Sequence, residues 1–321
     1  MRLRILGTAA GGGVPQWNCA CPGCAGARTH PGWRRSHASL AVDDHIVNAT
    51  PDIAQHIEAC EWLRPAPAAN PSGPGTAPAS NPGSTAGPDP GPGSATGPGG
   101  PLRPRPVVRV ILTDAELDHT LGLPRLREAD GLEIIATPTV REALTRGLRL
   151  QEVLSPYAEL RWRDLPPGGT VSLASGVRVQ AVPVSGKRPR YAAGEGPDSG
   201  WVVALRLTDP ATGGTCLYAP ALGVWSPAME EAMAEADCVI VDGTFWDDEE
   251  PRRTGISSRT ATEMGHLPIE ATAERLAELP GRCLYTHLNN TNPLVDPGAP
   301  QHKKLAELGV EVAADGMVIE L

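Results

Sequence analysis

A chain of 321 residues holds one large α/β domain or two small ones. Its net charge of −9 and pI near 5.4 exclude a nucleic-acid binder held by phosphate contacts, which needs a basic face, but leave room for a local basic pocket. No apolar run approaches the ~20 residues that cross a bilayer, and the N-terminal apolar stretch is too short for a secretory signal, so a cytoplasmic protein is expected.

Residues 3–6 read as a strand, and Gly11-Gly12-Gly13 behind it as a tight turn where backbone approaches a site closely. The glycines lack the lysine and Ser/Thr of a phosphate loop and the spacing of a dinucleotide fingerprint. Cys19-Ala20-Cys21-Pro22-Gly23-Cys24 then crowds three of the seven cysteines together. In a reducing compartment this is a metal-ligand pattern more than a disulfide one. Thiolates favour zinc, and structural zinc takes four protein ligands. Cys19, Cys21 and Cys24 are therefore read as three ligands of a structural zinc, with His30, Asn290 and His302 as candidates for the fourth. Cys60, Cys216, Cys238 and Cys283 stand among apolar residues and read as buried core thiols.

Residues 39–42 and 45–48 follow as strands, and Asp52 is expected to cap a helix carrying Ile53, Ile57 and Cys60 on one face. From Arg64 to Pro106 the chain is almost entirely Pro, Gly, Ala, Ser and Asn. Such a stretch buries too little apolar surface to offset its ordering entropy, so a disordered insertion at about 65–106 is expected within a single domain spanning 1–321. A domain tolerates it, since closing a loop costs only about 0.6 kcal/mol more per doubling of length. Residues 107–112 form a near-continuous apolar run, as in a strand buried on both faces. Val140, Leu144 and Leu148 mark a helix. Strands are expected at 177–184, 201–207, 216–218, 238–241, 283–285, 310–313 and 317–319, and helices at 229–236 and 269–279. Strands in both halves with helices between them suit an α/β chain of the α+β type, a four-layer αββα sandwich; periodicity alone also permits three layers.

The chemistry gathers at strand ends, where ligand sites of α/β sheets lie. Thr113-Asp114-Ala115-Glu116-Leu117-Asp118-His119 follows the first buried strand and offers a carboxylate and an imidazole to one metal ion. Val241-Asp242-Gly243-Thr244-Phe245-Trp246 places a carboxylate after a second apolar strand, and Thr286-His287-Leu288-Asn289-Asn290-Thr291-Asn292 a histidine after a third. Between them Met264-Gly265-His266-Leu267-Pro268 sets a histidine before a helix, as a helix cap or as a proton-transfer group. Packing alone does not explain three strands that each end in a ligand type.

The order of Asp118-His119, Asp242 and His287 resembles the metal-binding order of metallo-β-lactamase-fold proteins. The blocks just quoted, with Gly7-Thr8-Ala9-Ala10-Gly11-Gly12-Gly13-Val14-Pro15-Gln16-Trp17-Asn18-Cys19 and Asp315-Gly316-Met317, resemble those of the pyrroloquinoline quinone (PQQ) biosynthesis protein B family. They run from end to end apart from the insertion. The resemblance implies the αββα sandwich and a place in PQQ biosynthesis. In the superfamily motif His-x-His-x-Asp-His, the first two histidine positions are here Asp114 and Glu116, and the later stretch Val184-Ser185-Gly186-Lys187-Arg188-Pro189-Arg190 lacks the histidine that hydrolases supply. A dinuclear hydrolase clamps its substrate between two metals about 3.5–4 Å apart. With three neutral donors missing, that chemistry is not expected.

Asp118, His119 and His287 remain, with Asp242 as a fourth ligand or as a partner that orients an imidazole. Two histidines and a carboxylate are the ligand set of non-haem Fe(II) oxygenases. The resemblance implies an Fe(II)- and O₂-dependent hydroxylase, an oxidoreductase acting on the tyrosine ring of a Glu–Tyr unit excised from a precursor peptide. His266 is the candidate for proton transfer, and Lys187, Arg188 and Arg190 form either a solvated basic loop or a cradle for substrate carboxylates. Other proteins of the pathway and a second copy of the chain are candidate partners. A carrier that delivers PQQ or its precursor for export, and a metal-dependent hydrolase, are the competing readings.

Overall fold

The computed structural model describes residues 1–65, 106–194 and 197–321, so the expected disordered insertion lies almost wholly outside the described residues. In chain order the strands are β1 (Arg2–Gly7), β2 (Ser39–Val42), β3 (His45–Val47), β4 (Val107–Ile111), β5 (Gly131–Ala136), β6 (Glu159–Asp164) and β7 (Thr170–Ser172). They continue as β8 (Arg178–Ser185), β9 (Val202–Thr208), β10 (Thr215–Ala219), β11 (Cys238–Asp242), β12 (Arg282–Thr286), β13 (Glu311–Val312) and β14 (Val318–Glu320). One seven-stranded sheet has the order β14-β1-β2-β3-β4-β5-β6, and the other β13-β12-β11-β10-β9-β8-β7.

Each sheet is half antiparallel and half parallel. β3 through β6 run parallel in the first, and β10 through β13 in the second. Side chains alternate between faces along every strand. Leu3 and Ile5, Leu40 and Val42, Val203, Leu205 and Leu207, and Ile240 and Leu284 fall into one buried cluster between the sheets. Their neighbours Ala41, Ile46, Val110, Leu132 and Ile134, with Val239, Val241 and Tyr285, belong to the cluster shared with the helices. The molecule is thus the four-layer αββα sandwich. Cys60, Cys216, Cys238 and Cys283 are buried free thiols, as expected.

The helices are α1 (Pro22–Thr29), α2 (Ile53–Ala59), α3 (Leu117–Thr120), α4 (Pro138–Glu142), α5 (Leu150–Leu154), α6 (Pro227–Ala234), α7 (Glu250–Arg253), α8 (Ile269–Ala277) and α9 (Pro300–Glu307). Two expectations fail locally. Asp52 precedes α2 but does not cap it, because its carboxylate accepts from both the backbone N–H and Nδ1 of His37, at 2.9 and 2.7 Å. The helix read through Val140, Leu144 and Leu148 is α-helical only to Glu142. It widens into a π turn over Ala143–Gly147, where Leu148 N–H bonds to Ala143 O, and only Val140 and Leu144 are fully buried.

The parallel strands set the site. β4, β11 and β12 run so that their carboxyl ends, followed by Thr113–His119, Gly243 onward and His287 onward, open on one edge of the sandwich. Two backbone stitches join the sheets there. The chain after β1 pairs with the chain after β12, through Leu288 N–H to Thr8 O at 2.8 Å and Ala10 N–H to Leu288 O at 2.9 Å. Val203 N–H of β9 reaches Thr113 O beyond β4 at 2.9 Å.

Candidate metal centre

Three donor atoms converge on that edge. Asp118 Oδ2 lies 3.8 Å from His119 Nε2 and 3.5 Å from His287 Nε2. All three atoms stand within 4.8 Å of one another. Both Nε2 atoms are buried and have no hydrogen-bond partner. A buried polar atom without a partner carries a desolvation cost of about 1–3 kcal/mol, and two of them aimed at a carboxylate fit a cation held between the three. Gly11 meets the cluster from the N-terminal turn, where a Cβ would stand 3.3 Å from Asp118 Oδ2, so the close backbone approach expected of the triple glycine is real.

Each imidazole is oriented from behind. His119 Nδ1 donates to Asp114 Oδ2 at 2.7 Å, and Asp114 is fixed in turn by Thr113 Oγ1 at 2.7 Å and Glu116 N–H at 2.9 Å. A carboxylate on Nδ1 puts the proton there and leaves Nε2 as the ligating atom. His287 Nδ1 donates to Thr244 Oγ1 at 2.8 Å, while Thr244 Oγ1 donates to Asp242 Oδ1 at 2.5 Å. His287 itself has φ +59°, the left-handed region that a β-rich strand end avoids, and the Leu288–Thr8 stitch holds it there.

Asp242 is fully engaged. Oδ1 accepts from Thr244 N–H and Oγ1, and Oδ2 accepts from Leu222 N–H at 2.9 Å and from His266 Nδ1 at 2.6 Å. Asp242, His266 and His287 also lie close enough to hold a cation, but one entering there would displace these bonds. His266 is buried, and it does not cap α8, whose first N–H groups go to Phe245 O and Trp246 O. Its ring stacks on that of His287 with centroids 5.8 Å apart. Its Nε2 accepts from Lys187 Nζ at 3.1 Å.

Burial and charge pull these groups in opposite directions. Burial alone would lower His119, but the carboxylates of Asp114 and Asp118 raise it to about 9. Burial would raise Asp118, yet His119, His287 and His37 hold it well below the ordinary carboxylate range. His266 falls below the usual imidazole value through burial, with Lys187 adding to the fall and Asp242 opposing it. Burial pushes Glu116 up, against the pull of Lys187.

The cavity in front of the donors measures about 240 Å³ and is lined by Gly11, Glu116, Asp118, Lys187, Phe245, Met264 and His266 among others. It is smaller than the ~300–1,000 Å³ of sites for drug-sized ligands, and so suits one side chain or a small compact molecule. Of the basic stretch read either as a solvated loop or as a cradle for substrate carboxylates, the structure brings Lys187 to the cavity. Arg188 is drawn to Asp198 at 2.8 Å and lies over the Trp201 ring, and Arg190 is exposed.

The sulfurs of Cys19, Cys21 and Cys24 form a separate group, also within 4.8 Å of one another. Cys21 caps α1, its sulfur accepting from Cys24 N–H at 3.4 Å. Burial would raise the Cys21 thiol, but the N–H groups of Cys24 and Asn290 bring it below its ordinary value; burial pushes Cys24 up to about 11. Of the three candidates for a fourth ligand, only Asn290 reaches the group, and it does so as a partner of the sulfurs, Nδ2 donating to Cys19 Sγ at 3.1 Å and to Cys21 Sγ at 3.4 Å. His30 packs against Trp33, and His302 Nε2 faces Leu294 O.

Sequence reasoning missed two of these parts. Asp114 was counted as a lost ligand, whereas it orients His119. Thr244, two residues beyond Asp242, was not singled out, although a hydroxyl so placed after a strand-end carboxylate is within reach of it.

Comparison with known proteins agrees with this architecture. The beta-lactamase superfamily domain matches residues 86–288. The chain is 38% identical to Coenzyme PQQ synthesis protein B of Azoarcus sp. (strain BH72), and 36% identical to that of Pseudomonas syringae pv. syringae (strain B728a), over the full length of each pair. The crystal structure of Zn(2+)-bound PqqB from Methylobacterium extorquens superposes with a TM-score of 0.80 at 26% identity, covering both chains completely. A diphosphatase of the PhnP family superposes at 0.63 with 16% identity, over 100% of this chain and 98% of that one, a likeness of fold alone. Within the beta-lactamase superfamily, the chain belongs to the coenzyme PQQ synthesis protein B family.

Proposed function

We propose that this chain is a metal-dependent enzyme of PQQ biosynthesis, an Fe(II)- and O₂-dependent hydroxylase of the tyrosine ring of a Glu–Tyr-derived precursor. The observation that carries the reading is the pair of unpartnered Nε2 atoms of His119 and His287 facing Asp118 Oδ2. Two histidines and one carboxylate with open positions are the donor set of non-haem Fe(II) oxygenases. Iron held there would supply O₂ activation.

The protein's own groups do the rest. Asp114 and Thr244 fix the two imidazoles so that neither has to reorganise. Asp242 is a positioning residue in this reading, joining His266 and Thr244 behind the donors. His266 is the proton-transfer group of this reading: Nδ1 is committed to Asp242, and Nε2, which accepts from Lys187 Nζ, exchanges protons with the substrate's phenol oxygen by way of that ammonium. Phe245, Met264 and Ile256 form the apolar wall against which an aromatic ring packs. The structural zinc is assigned to Cys19, Cys21 and Cys24 with Asn290 alongside.

Hydrolysis by two metals is disfavoured by the same geometry. Asp114, standing where hydrolases carry a histidine, is spent on His119, and the second donor group is closed by its own hydrogen bonds.

The test is anaerobic loading with Fe(II), then O₂ and a two-electron reductant such as ascorbate with a Glu–Tyr-type substrate and mass spectrometry. The reductant is required because one oxygen atom enters the ring and the other leaves as water. An iron-dependent gain of oxygen on the tyrosine ring is the expected result. No gain, together with tight binding of finished PQQ, would replace the hydroxylase by a carrier.

A further inference from the structure

Lys187 stands out among the groups that line the cavity. It is the one lysine or arginine among the described residues there, in company with Asp114, Glu116 and Asp118. Its position is built. The aliphatic stem lies against Gly265, where a Cβ would come within 2.7 Å of Lys187 Cδ, and Gly265 has φ +85°. The left-handed φ calls for glycine there, and the missing side chain leaves room for the lysine stem. Nζ then donates to His266 Nε2 at 3.1 Å, with Glu116 Oε1 at 4.0 Å. An ammonium has three N–H donors. One goes to His266, and 4.0 Å is too long for a hydrogen bond to Glu116, so donors remain to face the cavity.

The two ends of the site are electrostatically distinct. His266 and His287 stack with an interplanar angle of 18°, and the Nδ1 atoms of both turn toward Thr244. Both Nε2 atoms therefore look the same way, one toward the Asp118 donor cluster and the other onto the ammonium. Glu116 and Asp118 make the cavity wall acidic, and Lys187 is the fixed cationic side chain placed to receive an anionic group at the end away from the donor cluster.

We infer that Lys187 is the substrate anchor of this site, binding a carboxylate of the substrate so that its aromatic ring is presented to the Asp118–His119–His287 cluster. This rests on the Glu–Tyr reading above. That unit has two suitable carboxylates, the glutamyl side chain and the tyrosine α-carboxylate. The bond to His266 sets the ammonium at the cavity, with the Glu116 carboxylate 4.0 Å away on its other side.

The test is calorimetric binding to the full-length, Fe(II)-loaded protein under anaerobic conditions, where no turnover occurs. The probes are Glu–Tyr, Gln–Tyr and the C-terminal amide of Glu–Tyr. Lys187→Met keeps the stem and removes the charge, and unchanged circular dichroism and metal content verify its fold. Loss of a charge-assisted bond should weaken Glu–Tyr binding about 10- to 100-fold, while Lys187→Arg stays within a few-fold of the original. Whichever probe lacks the anchored carboxylate should bind the unaltered protein as weakly as Glu–Tyr binds Lys187→Met, with no further loss on the variant. Equal binding of Glu–Tyr to Lys187→Met and the original overturns the anchor and leaves the proposed substrate standing. So does an undiminished effect of Lys187→Met on both modified probes. Absence of binding of Glu–Tyr to the unaltered protein overturns the substrate class, and the anchor with it.

Discussion

Asp114 accepts a hydrogen bond from His119 Nδ1 at 2.7 Å, and so decides which nitrogen of that ring faces Asp118 and His287. Asp114→Asn keeps the shape but removes the charge that fixes the tautomer. Losing such a supporting carboxylate typically costs 10–100-fold in metal affinity. Competition titration with a chromophoric chelator should show a weakening in that range, and an unchanged affinity would remove Asp114 from the site's design.

The two donor groups are independent in space. His119→Ala should abolish metal binding at the Asp118 cluster and leave the metal on the cysteines. Elemental analysis of purified protein would read this as loss of one metal class; loss of both would show that the site assignment is wrong.

Asn290 alone among the candidates touches the cysteine sulfurs. Asn290→Ala should speed zinc release to a chelator, whereas His30→Ala and His302→Ala should leave the release rate unchanged. A large effect from either histidine would place it among the zinc ligands.

Metal uptake at the Asp118 cluster should depend on pH. Burial opposes but does not overcome the carboxylates that raise His119 to about 9 in the metal-free protein. A cation must then displace a proton from it, so affinity should rise about tenfold per pH unit from pH 6.5 towards 9. Zinc or cobalt titrations between pH 6.5 and 8.5 check the slope, and a flat line would mean that the ring is already neutral.

Much of this was legible beforehand, for a definite reason. Asp242 ends an apolar strand, His287 directly follows one, and Asp118 and His119 stand in the short segment after a third. Strand ends are where periodicity and ligand chemistry can be read together. What sequence could not show was which polar atom claims which. Asp52 had every mark of a helix cap, but His37 lies in a different element and took its carboxylate. Lys187, Arg188 and Arg190 look alike in a row, and only folding sends the first into the cavity and the second to Asp198. Asn290, His30 and His302 were equal candidates until the chain after β12 was brought against α1.

His56 supplies a stability prediction away from the metal centre. It is buried, with Ser36 Oγ at 2.9 Å from Nε2 and Thr50 Oγ1 at 3.3 Å from Nδ1. Burial lowers it from 6.5 to about 4. The unfolded chain therefore takes up the proton first as pH falls. This contribution is complete above pH 6.5 and is lost progressively down to about pH 4, a gap worth on the order of 3 kcal/mol. Chemical denaturation of the original and of His56→Gln across that window should show a shallower acid loss in the variant. Parallel curves would mean that His56 is solvated in the fold.

The stitches between the sheets make the metal centre a seam. Asp118 and His119 descend from β4 in one sheet and His287 from β12 in the other, with Leu288–Thr8 and Val203–Thr113 sewing the two together alongside. Neither sheet on its own owns a complete set of donors. The centre therefore exists only after both sheets have docked, and an ion with high affinity for it would act as a clasp that closes late in folding and favours the docked state by mass action. A loaded centre is then also a certificate of correct assembly, and chelation should loosen the molecule first along this edge, where backbone exchange with solvent would reveal it.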